Sequence, residues 1–166
     1  GEITGSLRSF ARRAAGSAGP VALDDAVDGA LALLAGRIRD SGVTLTRTRG
    51  EGAVVVQASR IRLEQIIVNL LQNALDALKG RADGRIGITV ERAGDRVSLR
   101  VADNGPGIAP EIADTLFMPF VTTKEAGLGL GLVISAEIAR ELGGTLLHDS
   151  EAGPGTVFVL ELPCAP

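Results

Sequence analysis

Leu63, Ile66, Ile67, Leu70, Leu71, Ala74, Leu75 and Leu78 fall at i, i+3, i+4, i+7, i+8, i+11, i+12 and i+15, which predicts one long helix with a broad apolar stripe. Ser59 stands where an N-cap is needed and Gly80 where the helix should stop. Such a stripe must be buried against a second layer. Strands are the expected partner. Residues 86–91 and 96–102 alternate and are joined by Ala93-Gly94-Asp95, a hairpin pattern. Residues 145–149 and 156–162 form a second one around Gly153-Pro154-Gly155. A further stripe of Val27, Ala30, Leu31, Leu34 and Ile38 predicts a helix over 23–41, closed by Gly42. Residues 43–47 and 53–57 read as short strands with Arg49-Gly50-Glu51-Gly52 as their turn. A short helix is expected over 110–116, an irregular glycine-rich stretch over 117–131, and a helix over 131–142 closed by Gly143-Gly144. Residues 1–20 read as the end of a helix and a linker. The sum is an α+β two-layer sandwich.

Composition narrows the function classes. The chain has 166 residues, of which 45% are apolar and 22% charged, as in an ordinary globular domain. It has four Phe and no Trp or Tyr, so the core must be aliphatic and the surface is poorly equipped to stack bases along a strand. A net charge of −3 leaves no basic footprint for nucleic acid. Cys164 stands alone and forms no internal disulfide, which fits a reducing compartment. No apolar run approaches the roughly 18 residues of a membrane span. A start at Gly1 without Met is expected of a piece of a longer chain.

Three features carry chemistry, and their order matters more than any one of them. On the long helix Asn69 and Asn73 lie one turn apart on one face, and Asp76 joins them. Arg62 and Gln65 extend this stripe. It is either a solvated polar face or a site where an amide oxygen ligates Mg²⁺ while phosphates fill the remaining positions. Next, Asp103-Asn104-Gly105-Pro106-Gly107-Ile108 follows the alternating run of Val97, Leu99 and Val101, so a carboxylate sits at the mouth of a strand. Its glycines allow a backbone to approach a flat ligand, and the carboxylate can accept a hydrogen bond from an exocyclic amine such as that of adenine. Read alone, it is a turn. Last, Gly127-Leu128-Gly129-Leu130-Gly131-Leu132 enters a helix, which suits a polyphosphate or a hinge. No Gly-Lys-Ser/Thr ends it, so it is not a Walker A loop, and its spacing is not that of a dinucleotide fingerprint.

These residues resemble the motifs of sensor histidine kinases. Asn69-Leu70-Leu71-Gln72-Asn73-Ala74 is similar to their N box and Asp103 to Ile108 to their G1 box. Leu116-Phe117-Met118-Pro119-Phe120 is similar to their F box and Gly127 to Leu132 to their G2 box. The stretch from about 22 to 163 fits their catalytic ATP-binding domain, within the superfamily that includes gyrase, Hsp90 and mismatch-repair ATPases. The run from Phe117 to Lys124, with Arg8-Ser9-Phe10-Ala11-Arg12-Arg13, most resembles kinases that sense C4-dicarboxylates or nitrogen status. The resemblance implies a Bergerat-type fold with a mixed, mainly antiparallel sheet covered by helices on one face. It divides the chain into 1–20, the tail of a dimerisation hairpin with a linker, and 21–166, the catalytic domain. Asp103 would take the adenine amino group, with Gly105, Gly107 and Ile108 passing the purine. Asn73 would ligate Mg²⁺ and Asn69 support the phosphates, the pair carrying catalysis, with Asp76 beside them. Residues 117–131 would be a lid over ATP, bringing Phe120, Thr123 and Lys124 to the nucleotide. Gly127, Leu128, Gly129, Leu130, Gly131 and Leu132 would cradle the triphosphate, and Thr156 would bond near the adenine.

The related ATPases carry a Glu one turn before the Mg²⁺ Asn. This chain has Asn69 there, and an amide is no general base. Glu64 lies more than two turns from Asn73. The resemblance therefore implies a kinase that keeps its γ-phosphate for a partner nucleophile. The only histidine, His148, lies on an expected strand after the G2 helix, the wrong place for the phosphoacceptor. The acceptor hairpin would lie outside this chain, and a response regulator receiver domain would take the phosphate onward. The implied setting is the cytoplasmic part of an inner-membrane bacterial sensor, a homodimer when whole and a monomer as this fragment. Only two residues separate Lys124 from Gly127, a short lid that leaves open a regulatory module that binds nucleotide and transfers nothing. A gyrase- or Hsp90-type ATPase is the third reading.

Overall fold

The computed structural model describes residues 18–50, 52, 54–118, 130–150 and 153–165. The elements run β1 (Gly19–Ala22), α1 (Leu23–Leu33), α2 (Ala35–Ser41), β2 (Thr44–Arg49), β3 (Val55–Ala58) and α3 (Arg60–Ala77). They continue with β4 (Arg85–Ala93), β5 (Arg96–Asp103), α4 (Pro110–Ala113), α5 (Leu130–Glu141), β6 (Thr145–His148) and β7 (Thr156–Pro163).

Five strands form the main sheet in the order β2-β4-β5-β7-β6. Strands β2 and β4 are parallel, and the β4–β5, β5–β7 and β6–β7 pairs are antiparallel. One face carries rows such as Arg47, Ile88, Val101, Phe158 and His148, set by the pairing register. Ile86, Ile88, Val90, Val97, Leu99, Val101, Phe158 and Leu160 on this face join the same core cluster as Leu63 through Leu78 of α3. The opposite face carries Thr46, Thr48, Thr89, Arg100 and Leu147. Alternation along β4 and β5 therefore decides which side the helices cover. This is the α+β sandwich with a mixed, mainly antiparallel sheet.

Helix α3 starts as the sequence predicts. The Ser59 side chain accepts from the Arg62 amide at 3.4 Å, satisfying one of the open donors of the first turn. Ser59→Ala is expected to cost about 1 kcal/mol. That would lower the thermal midpoint by roughly 2–4 °C in calorimetry.

Three expectations are corrected. Residues 43–47 and 53–57 are not partners across a turn. Strand β2 pairs with β4, while β3 leaves the sheet and pairs with β1 in a separate antiparallel ribbon. The reason is topological: parallel β2 and β4 need a long crossover, which β3 and α3 supply. Strand β1 occupies Gly19–Ala22, so Gly19 and Pro20 belong to a strand and not to the expected linker. The helix over 23–41 divides at Leu34, which leaves helical geometry at φ −104° and ψ 8°. Leu34 is buried while Leu33 is exposed, and Gly36 two residues on is a weak helix former.

Helix α1 is fastened to the sheet edge by Arg47. Its guanidinium donates to the Asp24 carbonyl at 2.9 Å and to Asp24 Oδ1 at 3.2 Å, and it also pairs with Asp28. The hydrogen bond from Arg47 holds the Asp28 carboxyl below its ordinary range.

Candidate functional site

A cleft of about 270 Å³ opens between the C-terminal half of α3 and the end of β5. Asn73, Asp76 and Ala77 face it from α3, Asp103 from the end of β5, and Thr156 and Phe158 from β7. Pro106, Gly107, Ile108 and Ala109 of the connecting loop, with Ile112 of α4, complete the wall. Helical spacing puts Asn73 and Ala77 on one face, and strand spacing does the same for Thr156 and Phe158. Asp103 and Thr156 are opposite each other in the β5–β7 register, so antiparallel pairing brings the two polar groups together. The lining is a half-buried carboxylate at Asp103, an exposed one at Asp76, an amide and a hydroxyl among apolar walls. That donor and acceptor set suits a flat, partly polar ligand.

Burial raises the Asp103 carboxyl above its ordinary pKa, and the backbone amides of Gly105 and Thr156 and the Arg81 charge oppose the rise. The Gly105 amide donates to Asp103 Oδ1 at 2.9 Å. A Cβ at Gly105 would stand 2.9 Å from that oxygen and 3.2 Å from the Ala77 Cβ and carbonyl, so glycine is what lets the loop close on α3. Asn104 does not face the cleft. Its Oδ1 accepts from the Arg85 amide at 2.6 Å and its Nδ2 donates to the Asp83 carbonyl at 2.9 Å, stapling the loop to the start of β4. Arg81 donates to the Asn104 carbonyl on the same loop.

The two asparagines of α3 differ. Asn73 Nδ2 is buried and has no hydrogen-bond partner among the described residues. Asn69, one turn earlier, donates from Nδ2 to Ser135 Oγ at 2.9 Å and to the Gly131 carbonyl at 3.3 Å, both on α5. Asp76 is half-exposed and paired with Arg37 of α2. Glu64 points elsewhere: it pairs with Arg60 at 3.0 Å and lies against Gly29 of α1.

Of the residues expected from sequence, Asn73, Asp76, Asp103, Gly107, Ile108 and Thr156 line the cleft together. Gly105 shapes it from behind, and Asn69 and Gly131 meet beside it. The Leu132 side chain is wholly buried in the core, and Leu130, Gly131 and Leu132 form the first turn of α5. Phe120, Thr123, Lys124, Gly127, Leu128 and Gly129 lie outside the described residues. Sequence reasoning missed Ala77, Pro106, Ala109, Ile112 and Phe158. Periodicity gave a signal for two of them. Ala77 follows Asn73 by one helical turn, and Phe158 follows Thr156 by one strand repeat.

His148 packs against Phe158 with ring centroids 5.5 Å apart. Burial lowers its pKa and Asp149 opposes the fall. It thus lies on a strand, as expected, and β6 is an edge strand of the main sheet.

Residues 58–166 match the family of histidine kinase-, DNA gyrase B- and HSP90-like ATPases. The chain belongs to this family. The C4-dicarboxylate transport sensor protein DctB of Rhizobium meliloti (strain 1021) is 46% identical over 163 residues, 98% of this chain and 26% of that protein. This member thus spans about a quarter of the length of that curated relative. The catalytic domain of histidine kinase ThkA matches with a TM-score of 0.80 at 31% identity, over 90% of this chain and 99% of that one. A structure of ThkA in complex with the response regulator protein TrrA matches with a TM-score of 0.76 at 29% identity, over 90% of this chain and 42% of that one. The fold is that of a histidine kinase ATP-binding domain. Among the described residues, no helix is long and apolar enough to cross a membrane.

Proposed function

We propose that this chain is the catalytic ATP-binding domain of a two-component sensor histidine kinase. It holds Mg-ATP and presents the γ-phosphate to a histidine on a hairpin domain of the same, longer protein. The observation that carries the reading is the pairing of Asp103 and Thr156 at the end of a cleft whose other wall is the Asn-bearing face of α3. Asp103 accepts from the adenine amino group and Thr156 bonds beside it. Pro106, Ile108, Ala109 and Ile112 sandwich the purine with Ala77 and Phe158.

No group of three or more His, Cys, Asp or Glu among the described residues is placed to hold a metal unaided. Mg²⁺ fits this site in another way, because it keeps waters and substrate phosphates and needs only one or two protein oxygens. Asn73 Oδ1 would supply one, and its buried Nδ2, which has no partner among the described residues, is a donor suited to a phosphate oxygen and not to the ion. The bound ion neutralises phosphate charge. Asn69 and the Gly127–Leu132 turn support the triphosphate beyond Asn73, with Lys124, Thr123 and Phe120 closing over it. Asp76 joins only if it leaves Arg37.

Glu64, engaged with Arg60 and α1, is turned away from the role of general base. This favours transfer over hydrolysis, because neither the Asn69 amide nor Glu64 is fitted to activate a water. Catalysis is then positioning and charge neutralisation. The partners are the absent hairpin, through which the whole protein dimerises, and a receiver domain, as the TrrA complex of the similar kinase suggests. The setting is the cytoplasmic side of a membrane-anchored sensor, with this piece alone monomeric.

Mixing the chain with its separately produced hairpin domain and radiolabelled ATP tests the reading. Label is expected on the hairpin histidine, in an acid-labile, base-stable linkage. Nucleotide binding without transfer to the hairpin would favour a regulatory module, and rapid hydrolysis by the chain alone would favour an ATPase.

A further inference from the structure

We propose that Arg37 is a positioning residue of the nucleotide site, which masks the Asp76 carboxylate so that the cleft can take a polyanionic ligand. The inference rests on the nucleotide-site reading above and deepens it, because it names what lets this lining accept phosphate charge. Among the described residues the lining holds two carboxylates, Asp76 and Asp103, and no lysine or arginine. Such a lining repels a polyphosphate unless its charge is offset from outside. Both offsets stand behind the wall. Arg81 donates to the Asn104 carbonyl, and its charge acts on Asp103. Arg37 reaches over from α2 and pairs through Nη2 with Asp76 Oδ1.

The two carboxylates differ in what the ligand asks of them. Asp103 meets the base, where an anionic acceptor is useful. Asp76 follows Asn73 by three residues and is its neighbour on the surface of α3, beside the residue given to Mg²⁺ and phosphate. A bare carboxylate there would oppose every phosphate charge. Helix α2 places none of its residues in the lining, and Arg37 is what it contributes to the cleft. A guanidinium is always charged, so titration does not remove the mask. The two side chains are 43% and 46% exposed, so the pair adds little to folding stability, and its main effect is on the charge a ligand meets.

Competition against a fluorescent nucleotide, on the full chain with Mg²⁺ in excess, separates this from ordinary packing. The probes are a non-hydrolysable ATP analogue and adenosine. Arg37→Met is expected to weaken analogue binding about five-fold at low ionic strength, the scale of one unmasked unit charge acting through water on a multiply charged ligand. The loss should shrink to within about two-fold near 1 M salt, where the Debye length is about 3 Å. Adenosine is uncharged, and its affinity should stay within about two-fold at either salt concentration. Adding Asp76→Asn to Arg37→Met should restore analogue binding. Arg39→Met removes the same charge from the same helix, where Arg39 faces Asp40 at 3.7 Å, and serves as the control. It should leave analogue binding within about two-fold. Tighter analogue binding in Arg37→Met would mean that the freed Asp76 serves the cation, and overturns the proposal. So does an unchanged affinity, a loss that persists at high salt, or an equal loss of adenosine binding. Failure of Asp76→Asn to restore binding, or an equal loss in Arg39→Met, overturns it too. Failure of the wild-type chain to bind adenosine would instead remove the nucleotide site itself, and the proposal with it.

Discussion

Asp103→Ala is expected to weaken ATP binding roughly 10- to 150-fold, the effect of removing a charged hydrogen-bond partner worth about 1.5–3 kcal/mol. The loss should be as large for adenosine as for ATP, because the carboxylate reads the base and not the phosphates. A fluorescent nucleotide competed with adenosine, ADP and ATP gives the comparison. The same carboxylate makes an opposite prediction for stability. Its folded pKa is raised by burial, so the folded domain binds this proton more readily than the unfolded chain. Between the unfolded value and the raised one, this group stabilises the empty domain as pH falls. Above the raised value it is ionised in both states and its desolvation is a standing cost. Asp103→Asn should therefore raise the thermal midpoint of the empty domain at neutral pH while impairing binding. Nucleotide affinity should fall in the wild type as pH drops through the raised pKa, and this dependence should vanish in Asp103→Asn. Equal affinities in wild type and Asp103→Ala would remove Asp103 from the site.

Gly155→Ala is expected to cost roughly 3 kcal/mol, combining a strained backbone with an overpacked contact. Gly155 has φ +91°, and a Cβ there would stand 2.0 Å from the Asp103 carbonyl oxygen and 3.2 Å from the Asn104 Cα. Backbone meets backbone, so no side chain can swing away. The turn must move, and it carries Thr156 with it at the point where β7 meets Asp103. Loss of stability and loss of nucleotide affinity are expected together. Gly153→Ala is the control: φ is +94°, but nothing lies within 4 Å of the added carbon. It should show only the conformational part, about 1 kcal/mol or a little more. The two midpoints, read by calorimetry, are expected to differ by several degrees. Equal midpoints would mean that the close approach at Gly155 carries no energy.

What was legible in the sequence follows from which forces are local. The stripe of α3 and the alternation of β4 and β5 are periodic patterns, and each fixes a buried face without reference to the rest of the chain. Asp103 was legible because it ends an alternating run next to glycines. Strand β1 was not, because a four-residue Gly-Pro-Val-Ala segment has no period, and only its register against β3 makes it a strand. The partner of β2 was hidden for the same reason, since pairing is a long-range choice and the turn residues at 49–52 fit either outcome. In the site, residue types were readable but orientations were not. That Asn69 spends its NH₂ on α5, and that Asn104 staples the loop instead of facing the cleft, depends on neighbours far along the chain. Arg37 beside Asp76 is of the same kind.

The central claim is that the cleft between α3 and the end of β5 is the nucleotide site. Backbone amide chemical shifts, followed by NMR as a non-hydrolysable ATP analogue with Mg²⁺ is added to the chain, test it most directly. The account predicts saturable shifts concentrated at Asp103 to Ile108, Thr156, Asn73 and Ala77, with Asn69 and Gly131 responding to the triphosphate and not to adenosine. Absence of any saturable shift, or shifts confined to the opposite face of the sheet around Arg100 and Leu147, would contradict it.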